Sequence, residues 1–431
     1  MRLKTPMKAI HKNLLLTRTG DVWAYYRIKS NSIPMQNREK VESYKKKWQH
    51  LFEEITSYED FHLMMYPSEY ELEKRFKDLE TDIAADAIDV ARYYNEETVR
   101  LLEQRLGRLT KYDFILGVKL KSSLVNISVE LKDNILSFFN TATDTDTVVK
   151  MLGWEQNVST SFFEKYEEVE ETLVNIMASV RGERLSETEM TYINRYHFVR
   201  GLKHQTNEES EIKDVRSITN TIIDPTDPSV LHLHSDQDEG YSAFVVIDEF
   251  LHNMSESDLF YEAQSLPFPV EVQMKIQTES KSITKPALNL KRQQLKEEQK
   301  EQQSTGDRSD VSTVTSATMI RHLQDEIKKE DVHVMNWLSV IVVHGKTKKE
   351  CVGKATIVKR HLKGAGITCR LPVADQLNLF YKMLPGEKLD ITDKNWIQKT
   401  TQDGVAESLF AVNSDIGSKI GFFLGWVDRF Q

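Results

Sequence analysis

Cysteine is nearly missing: the 431 residues hold two, Cys351 and Cys369. Two thiols cannot build a disulfide framework, and such sparse use fits a reducing compartment, with both expected as small buried side chains. Glycine and proline are scarce at 17 and 10 residues, which argues against Gly-rich cofactor folds and against collagen-like or low-complexity chains. No apolar stretch approaches the roughly 18–20 residues of a membrane-spanning helix. The longest candidates, Trp337 to Val343 and Phe422 to Val427, have strand length and stop at charge or glycine. Leu14-Leu15-Leu16 is too short for a secretory signal core. These absences lead to the expectation of a protein made and kept in the cytoplasm.

What is present suits a folded, water-facing chain. The hydrophobic share is 39% and the charged share 29%, with 57 Lys+Arg against 66 Asp+Glu and a net charge of −9. Six Trp and fifteen Tyr argue against a largely disordered chain. The acidity excludes a wholesale nucleic-acid coat. The length fits roughly two to four domains.

Short strand patterns alternate with long helical ones. Val22, Ala24, Tyr26 and Ile28 follow the Thr19-Gly20-Asp21 turn as a strand, and Arg38 to Ile55 reads as a helix. Phe61 to Tyr66 reads as a strand stopped by Pro67, Glu69 to Leu109 as two helical segments, and Tyr112 to Leu120 as a strand. That order resembles a split βαβ arrangement with helices on one side of a sheet. Phe162, Tyr166, Val169, Leu173, Ile176 and Val180 form a helical seam, read as packing on its own domain rather than as a coiled coil. Ser186-Glu187-Thr188-Glu189 is a capping box and marks a boundary.

The second half repeats the alternation. Ala243 to Ile247, Val270 to Ile276, Trp337 to Val343 and Ile367 to Leu371 read as strands. Lys349 to Lys363 reads as a helix with Gly364 in the C′ position, and 285–330 as a polar helical excursion. The expected fold class is α+β: two mixed α/β subdomains with split βαβ-like sheets covered by helices, over 1–185 and 186–385. Residues 386–431 are expected as a connector. Both halves could be one topology used twice, although no residue-level repeat is visible.

Few residues suggest chemistry. Phe244-Val245-Val246-Ile247-Asp248-Glu249 has the form of a Walker B strand, and Gly345-Lys346-Thr347 the form of the end of a phosphate loop. That loop needs a glycine five residues before Gly345, where Val340 stands. The order of the two fragments is also reversed, so Asp248, Glu249 and Lys346 are expected as a decoy rather than a site. His232-Leu233-His234 with Asp236 could face a metal but offers too few ligands, and is expected as exposed histidines in a polar loop. Arg2, Lys4, Lys8, Lys12, Arg18, Arg27 and Lys29 face only Asp21 in the first thirty residues. They make either an anion-binding surface for membrane or nucleic acid, or a solvated basic arm.

Several segments together carry a resemblance. They are Lys12-Asn13-Leu14-Leu15-Leu16-Thr17, Gly20-Asp21-Val22-Trp23-Ala24-Tyr25-Tyr26-Arg27, Leu152-Gly153-Trp154-Glu155 and Gly182-Glu183-Arg184-Leu185. Ile223-Asp224-Pro225, Ser265-Leu266-Pro267-Phe268-Pro269-Val270, and Gly404-Val405-Ala406 through Gly421-Phe422-Phe423-Leu424-Gly425 complete the set. The chain resembles, over its whole length, the VirB-type conjugative-transfer ATPases carried by integrative conjugative elements of Gram-positive bacteria.

In that family a region of this size precedes a RecA-like motor, expected to start just after Gly421 to Trp426, so the resemblance covers the non-motor region with the RecA-like motor domain absent. It implies no catalytic, cofactor-binding or metal residue here, with ATP and Mg²⁺ serving only the full-length member. It further implies docking on inner-membrane secretion channel proteins, self-association or association with full-length ATPase subunits, and a peripheral place at the inner face of the membrane. Direct contact with DNA is the weakest expectation, and hydrolysis through Asp248, Glu249 and Lys346 is the enzyme alternative.

Overall fold

The computed structural model describes residues 5–69, 87–106, 110–121, 162–202, 221–235, 238–250, 258–279, 333–390 and 395–413, with 76, 77, 80 and 83 besides. Of the sequence expectations, the 285–330 excursion, Leu152 to Glu155 and Gly421 to Trp426 lie outside these residues.

The first half opens with a meander of β1 (Met7–His11), β2 (Leu14–Thr17) and β3 (Val22–Ile28), followed by the short β4 (Asn31–Ser32). Helix α1 (Arg38–Ile55) starts where Asn37 accepts a bond from the Lys40 amide, and it buries Val41, Tyr44, Trp48, Leu51, Phe52 and Ile55 at three- and four-residue spacing. Then come β5 (Asp60–Glu69), α2 (Ile88–Leu106), β6 (Thr110–Leu120), α3 (Glu167–Met177), β7 (Gly182–Arg184) and α4 (Glu187–Val199). Strand β6 lies between β3 and β5, antiparallel to both, and β7 pairs with β3. Strands β3 and β5 are therefore parallel, joined over α1 with a strand slot between them, which is a split βαβ unit.

The second half repeats this order. Hairpin strands β8 (Ile222–Asp224) and β9 (Leu231–His234) lead to β10 (Glu239–Phe250), α5 (Leu259–Gln264) and β11 (Glu271–Thr278). Next are β12 (Val334–Gly345), α6 (Lys348–Gly364), β13 (Ile367–Arg370) and α7 (Gln376–Lys382). Strand β12 fills the slot between β10 and β11, and β13 pairs with β10. One topology is thus used twice: hairpin, split βαβ unit, helix, closing strand, helix.

The halves join edge to edge. β5 pairs antiparallel with β11, Phe61 opposite Ile276 and Met65 opposite Val272, giving one 13-stranded sheet among the described residues. Both faces are apolar along the central strands, so both must be covered. One face packs Trp48, Phe52, Leu173 and Val358 from α1, α3 and α6 against Ala24, Phe114 and Met274. The other packs Met190, Ile193 and Phe380 from α4 and α7 against Trp23, Tyr25, Ile115 and Phe244. The fold is mixed α+β, as expected, but helices cover both sides of the sheet rather than one.

Three local differences have physical causes. Pro67 does not stop β5, because it lies beyond Met65, the last residue paired with β11, on a stretch that is already an edge. Gly364 is the last residue of α6, and Gly366, at φ +78°, takes the left-handed position. Residues 398–413 run across both halves: β14 (Gln398–Thr401) pairs with the start of β12 in the second, and α8 (Gln402–Glu407) carries Glu407 to Lys45 of α1 in the first. Strand β15 (Val412–Asn413) then pairs with β4, and Phe410 meets the edge of Trp48 at 5.3 Å.

Gly117 stands opposite Tyr25 in the β3–β6 ladder, and a Cβ there would sit 2.5 Å from the Tyr25 ring. That gap lets the Tyr25 hydroxyl accept a 2.8 Å bond from the Gly386 amide. Gly117→Ala is expected to displace the ring and cost about 2–4 kcal/mol, from overpacking plus the lost bond. A urea-unfolding midpoint unchanged from wild type would disprove this.

Candidate functional site

The nucleotide-like fragments do not converge. Asp248 sits near the end of β10, where its Oδ2 lies 2.6 Å from Arg370 Nε. The Glu249 side chain lies outside the described residues. Lys346 follows β12 and donates to the Gly201 carbonyl at 3.1 Å and to Asp238. Thr347 is the N-cap of α6, its hydroxyl accepting from the Glu350 amide at 3.2 Å. Gly345 pairs with Tyr241, so Asp248 is seven residues farther along β10, roughly 23 Å away at ~3.3 Å per residue. Val340 is buried in β12 opposite Val246. The glycine at 345 serves a tight strand-to-helix turn, since a Cβ would meet the Cys351 amide at 2.7 Å. Asp248 and Lys346 thus stand at opposite ends of β10.

A different set of groups meets at the seam between the halves. Along β11 the even residues Val272, Met274 and Ile276 enter one core, and Glu271, Gln273 and Lys275 turn to the other face, where they too are buried. The end of α4 brings Arg200 onto Glu271 through two 2.8 Å bonds, with both side chains fully enclosed. His197 Nδ1 lies 2.5 Å from Arg200 Nη2 and its Nε2 lies 2.8 Å from the Tyr66 hydroxyl of β5. His62 of β5 bonds Gln273 at 2.8 Å, and Lys275 donates to the Leu384 and Glu387 carbonyls at 2.9 and 2.7 Å. Burial and the neighbouring cations hold His62 and His197 well below the usual imidazole range, so both are neutral. Burial lowers Lys275 to about 7. Burial, with Arg200 and Lys354 adding to it, lowers His344 to about 3. Arg200, Glu271, His197, Tyr66, His62, Gln273 and Lys275 are spent largely on one another and on backbone carbonyls, so the cluster acts as an internal joint.

Three of the N-terminal basic residues are matched by acids distant in sequence. Lys12 reaches Glu167 at 2.9 Å and Arg27 reaches Glu189 at 2.6 Å, and Lys29 pairs with Glu183. The acids come from α3, β7 and α4, which fold onto the β1–β3 meander. Arg2 and Lys4 lie outside the described residues.

His232 and His234 belong to strand β9 and not to a loop, and Asp236 lies outside the described residues. Strand pairing adds two residues that local sequence could not supply: Asp224 stands opposite His232 and Glu239 opposite His234.

One surface is apolar where solvent is expected. On α2, Val90, Tyr93, Tyr94 and Leu101 are 75, 69, 59 and 47% exposed, and their helical spacing puts all four on one side. Helix α2 stands in the insertion between β5 and β6. No helix among the described residues is long and apolar enough to cross a membrane.

Two outcomes follow for the seam. Arg200→Met is expected to cost about 3–5 kcal/mol by stranding Glu271, and Arg200→Met/Glu271→Met to cost clearly less; equal losses in the two variants, read by urea unfolding, would refute the pairing. His344 is neutral when folded, whereas its unfolded form takes up a proton below about pH 6.5. Its contribution is complete above that pH and is lost as the pH falls toward 3. His344→Leu is therefore expected to flatten the loss of stability between pH 6.5 and 5 by up to about 1.4 kcal/mol per pH unit, and parallel curves for the two proteins would contradict it.

No protein-family model matches the chain. Along its whole length it is 99% identical to a Bacillus subtilis (strain 168) protein named "Uncharacterized protein YddE", and it spans 52% of that relative.

Proposed function

We propose that this chain is the docking and assembly region of a conjugative type IV secretion ATPase, serving conjugal DNA transfer at the cytoplasmic face of the membrane. In this reading it supplies surfaces for inner-membrane channel proteins and neighbouring subunits, and nucleotide hydrolysis belongs to a motor outside these residues. The observation that carries the reading is the separation of Asp248 from Lys346 to opposite ends of β10, joined to the whole-length resemblance drawn from the sequence. The curated relative is about twice as long as this chain, which leaves room for such a motor. The exposed side of α2, with Tyr93 and Tyr94 at its centre, is a surface suited to a protein partner, because aromatic residues dominate the energetics of protein contacts. The partner assigned to it is a channel protein of the inner membrane.

The test has two arms. Purified chain titrated with a fluorescent ATP analogue and Mg²⁺ is expected to show no saturable binding; binding abolished by Asp248→Asn or Lys346→Ala would overturn the reading. In cells carrying the conjugative element, Tyr93→Glu/Tyr94→Glu is expected to lower co-purification with the channel proteins at least tenfold, with the unfolding midpoint unchanged. Recovery equal to wild type would remove α2 from the docking surface.

A further inference from the structure

We propose that the edge formed by β8, β9 and β10 is a binding site for a divalent transition-metal ion, with Zn²⁺ the best fit, held by Asp224, His232, His234 and Glu239. The arrangement follows from strand register. His232 and His234 are two residues apart on β9 and so share a face. Asp224 is directly opposite His232 across the β8–β9 ladder, and Glu239 directly opposite His234 across the β9–β10 ladder. Directly paired residues point to the same side, so two imidazoles and two carboxylates from three strands converge on one patch.

The spacing is that of ligands before an ion draws them together. One ligand atom from each of Asp224, His232 and His234 lies within 4.8 Å of the others. Glu239 Oε2 lies 3.4 Å from His232 Nε2 and 3.5 Å from His234 Nδ1. Donor atoms bound about 2.0–2.1 Å from one tetrahedral ion stand roughly 3.3 Å apart. The two Glu239 separations already match that edge, and the Asp224, His232 and His234 atoms draw closer on binding.

Supporting contacts orient the ligands. His232 stacks flat on Tyr241, at 4.3 Å between centroids and 2° between planes. Both bonds from Thr226 go to Asp224 Oδ1, which fixes the carboxylate without engaging Oδ2. His232 Nε2 is closed to solvent and makes no hydrogen bond, a buried nitrogen that coordination would satisfy. The two rings stand 3.6 Å apart between centroids, close enough for one ion to take a nitrogen from each. A divalent ion binds both rings neutral and is balanced by two carboxylates. The donor set, two imidazoles with carboxylates, suits Zn²⁺ over Mg²⁺ or Ca²⁺.

The experiment uses the untagged chain, stripped with chelator and titrated with Zn²⁺ against a chromophoric zinc indicator. One equivalent bound at submicromolar Kd is expected. His232→Ala/His234→Ala should weaken binding at least 100-fold, and Glu239→Gln, a change at an exposed position, about tenfold. His50→Ala/His361→Ala should leave it unchanged. Co²⁺ in place of Zn²⁺ is expected to give the intense visible bands of four-coordination, bleached by added Zn²⁺. No uptake by the stripped chain at micromolar Zn²⁺ would overturn the proposal, as would equal affinity in Glu239→Gln and His232→Ala/His234→Ala.

Discussion

The antiparallel pairing of β5 with β11 is the contact on which the rest of the molecule depends. Each half is a split βαβ unit whose outer strand would be an open edge if it stood alone, with unpaired amides and carbonyls along its length. Pairing the two edges closes both and makes one continuous sheet. It also creates a region that lies under helices on either face. Every group that β11 turns toward α4 must then find its partner inside the protein. Arg200 supplies the partner of Glu271, His62 that of Gln273, and the Leu384 and Glu387 carbonyls those of Lys275.

This joint explains an unusual distribution of charge. Glu271, Gln273 and Lys275 alternate with apolar residues, the pattern of a strand with one face in water, yet all three are buried. A buried Arg–Glu pair adds little to net stability because desolvation offsets the attraction. What it adds is selectivity: a register slip of one residue would move the apolar set to the polar face and leave Arg200 without Glu271. The polar groups thus specify which strands meet and in what alignment, and the surrounding apolar side chains supply most of the driving force.

Local order was legible in the sequence to a large extent. Helix α1 runs over the residues that periodicity indicated, the Ser186 capping box is formed, and the seam from Phe162 to Val180 packs on its own sheet. Local pattern failed where long-range pairing decides. Polar alternation in β11 reads as solvent exposure, and only the position of α4 reverses that. His232 and His234 were visible as a pair, but Asp224 and Glu239 become their neighbours through strand register, which residue spacing does not encode. The basic residues near the N-terminus looked uncompensated because their acidic partners are some 150 residues away in sequence. The repeated topology was hinted at by alternation of elements and became definite only once strand order was known.

The two long insertions occupy equivalent connections, one between β5 and β6 and the other between β11 and β12. Because β5 and β11 run in opposite directions, the chain enters these insertions at opposite ends of the joint. Ten residues of β5 separate the exits, roughly 33 Å at ~3.3 Å per residue. The sheet is therefore a strut with one insertion leaving it at each end. Paired strands thus fix the distance between the two points where the insertions leave the sheet.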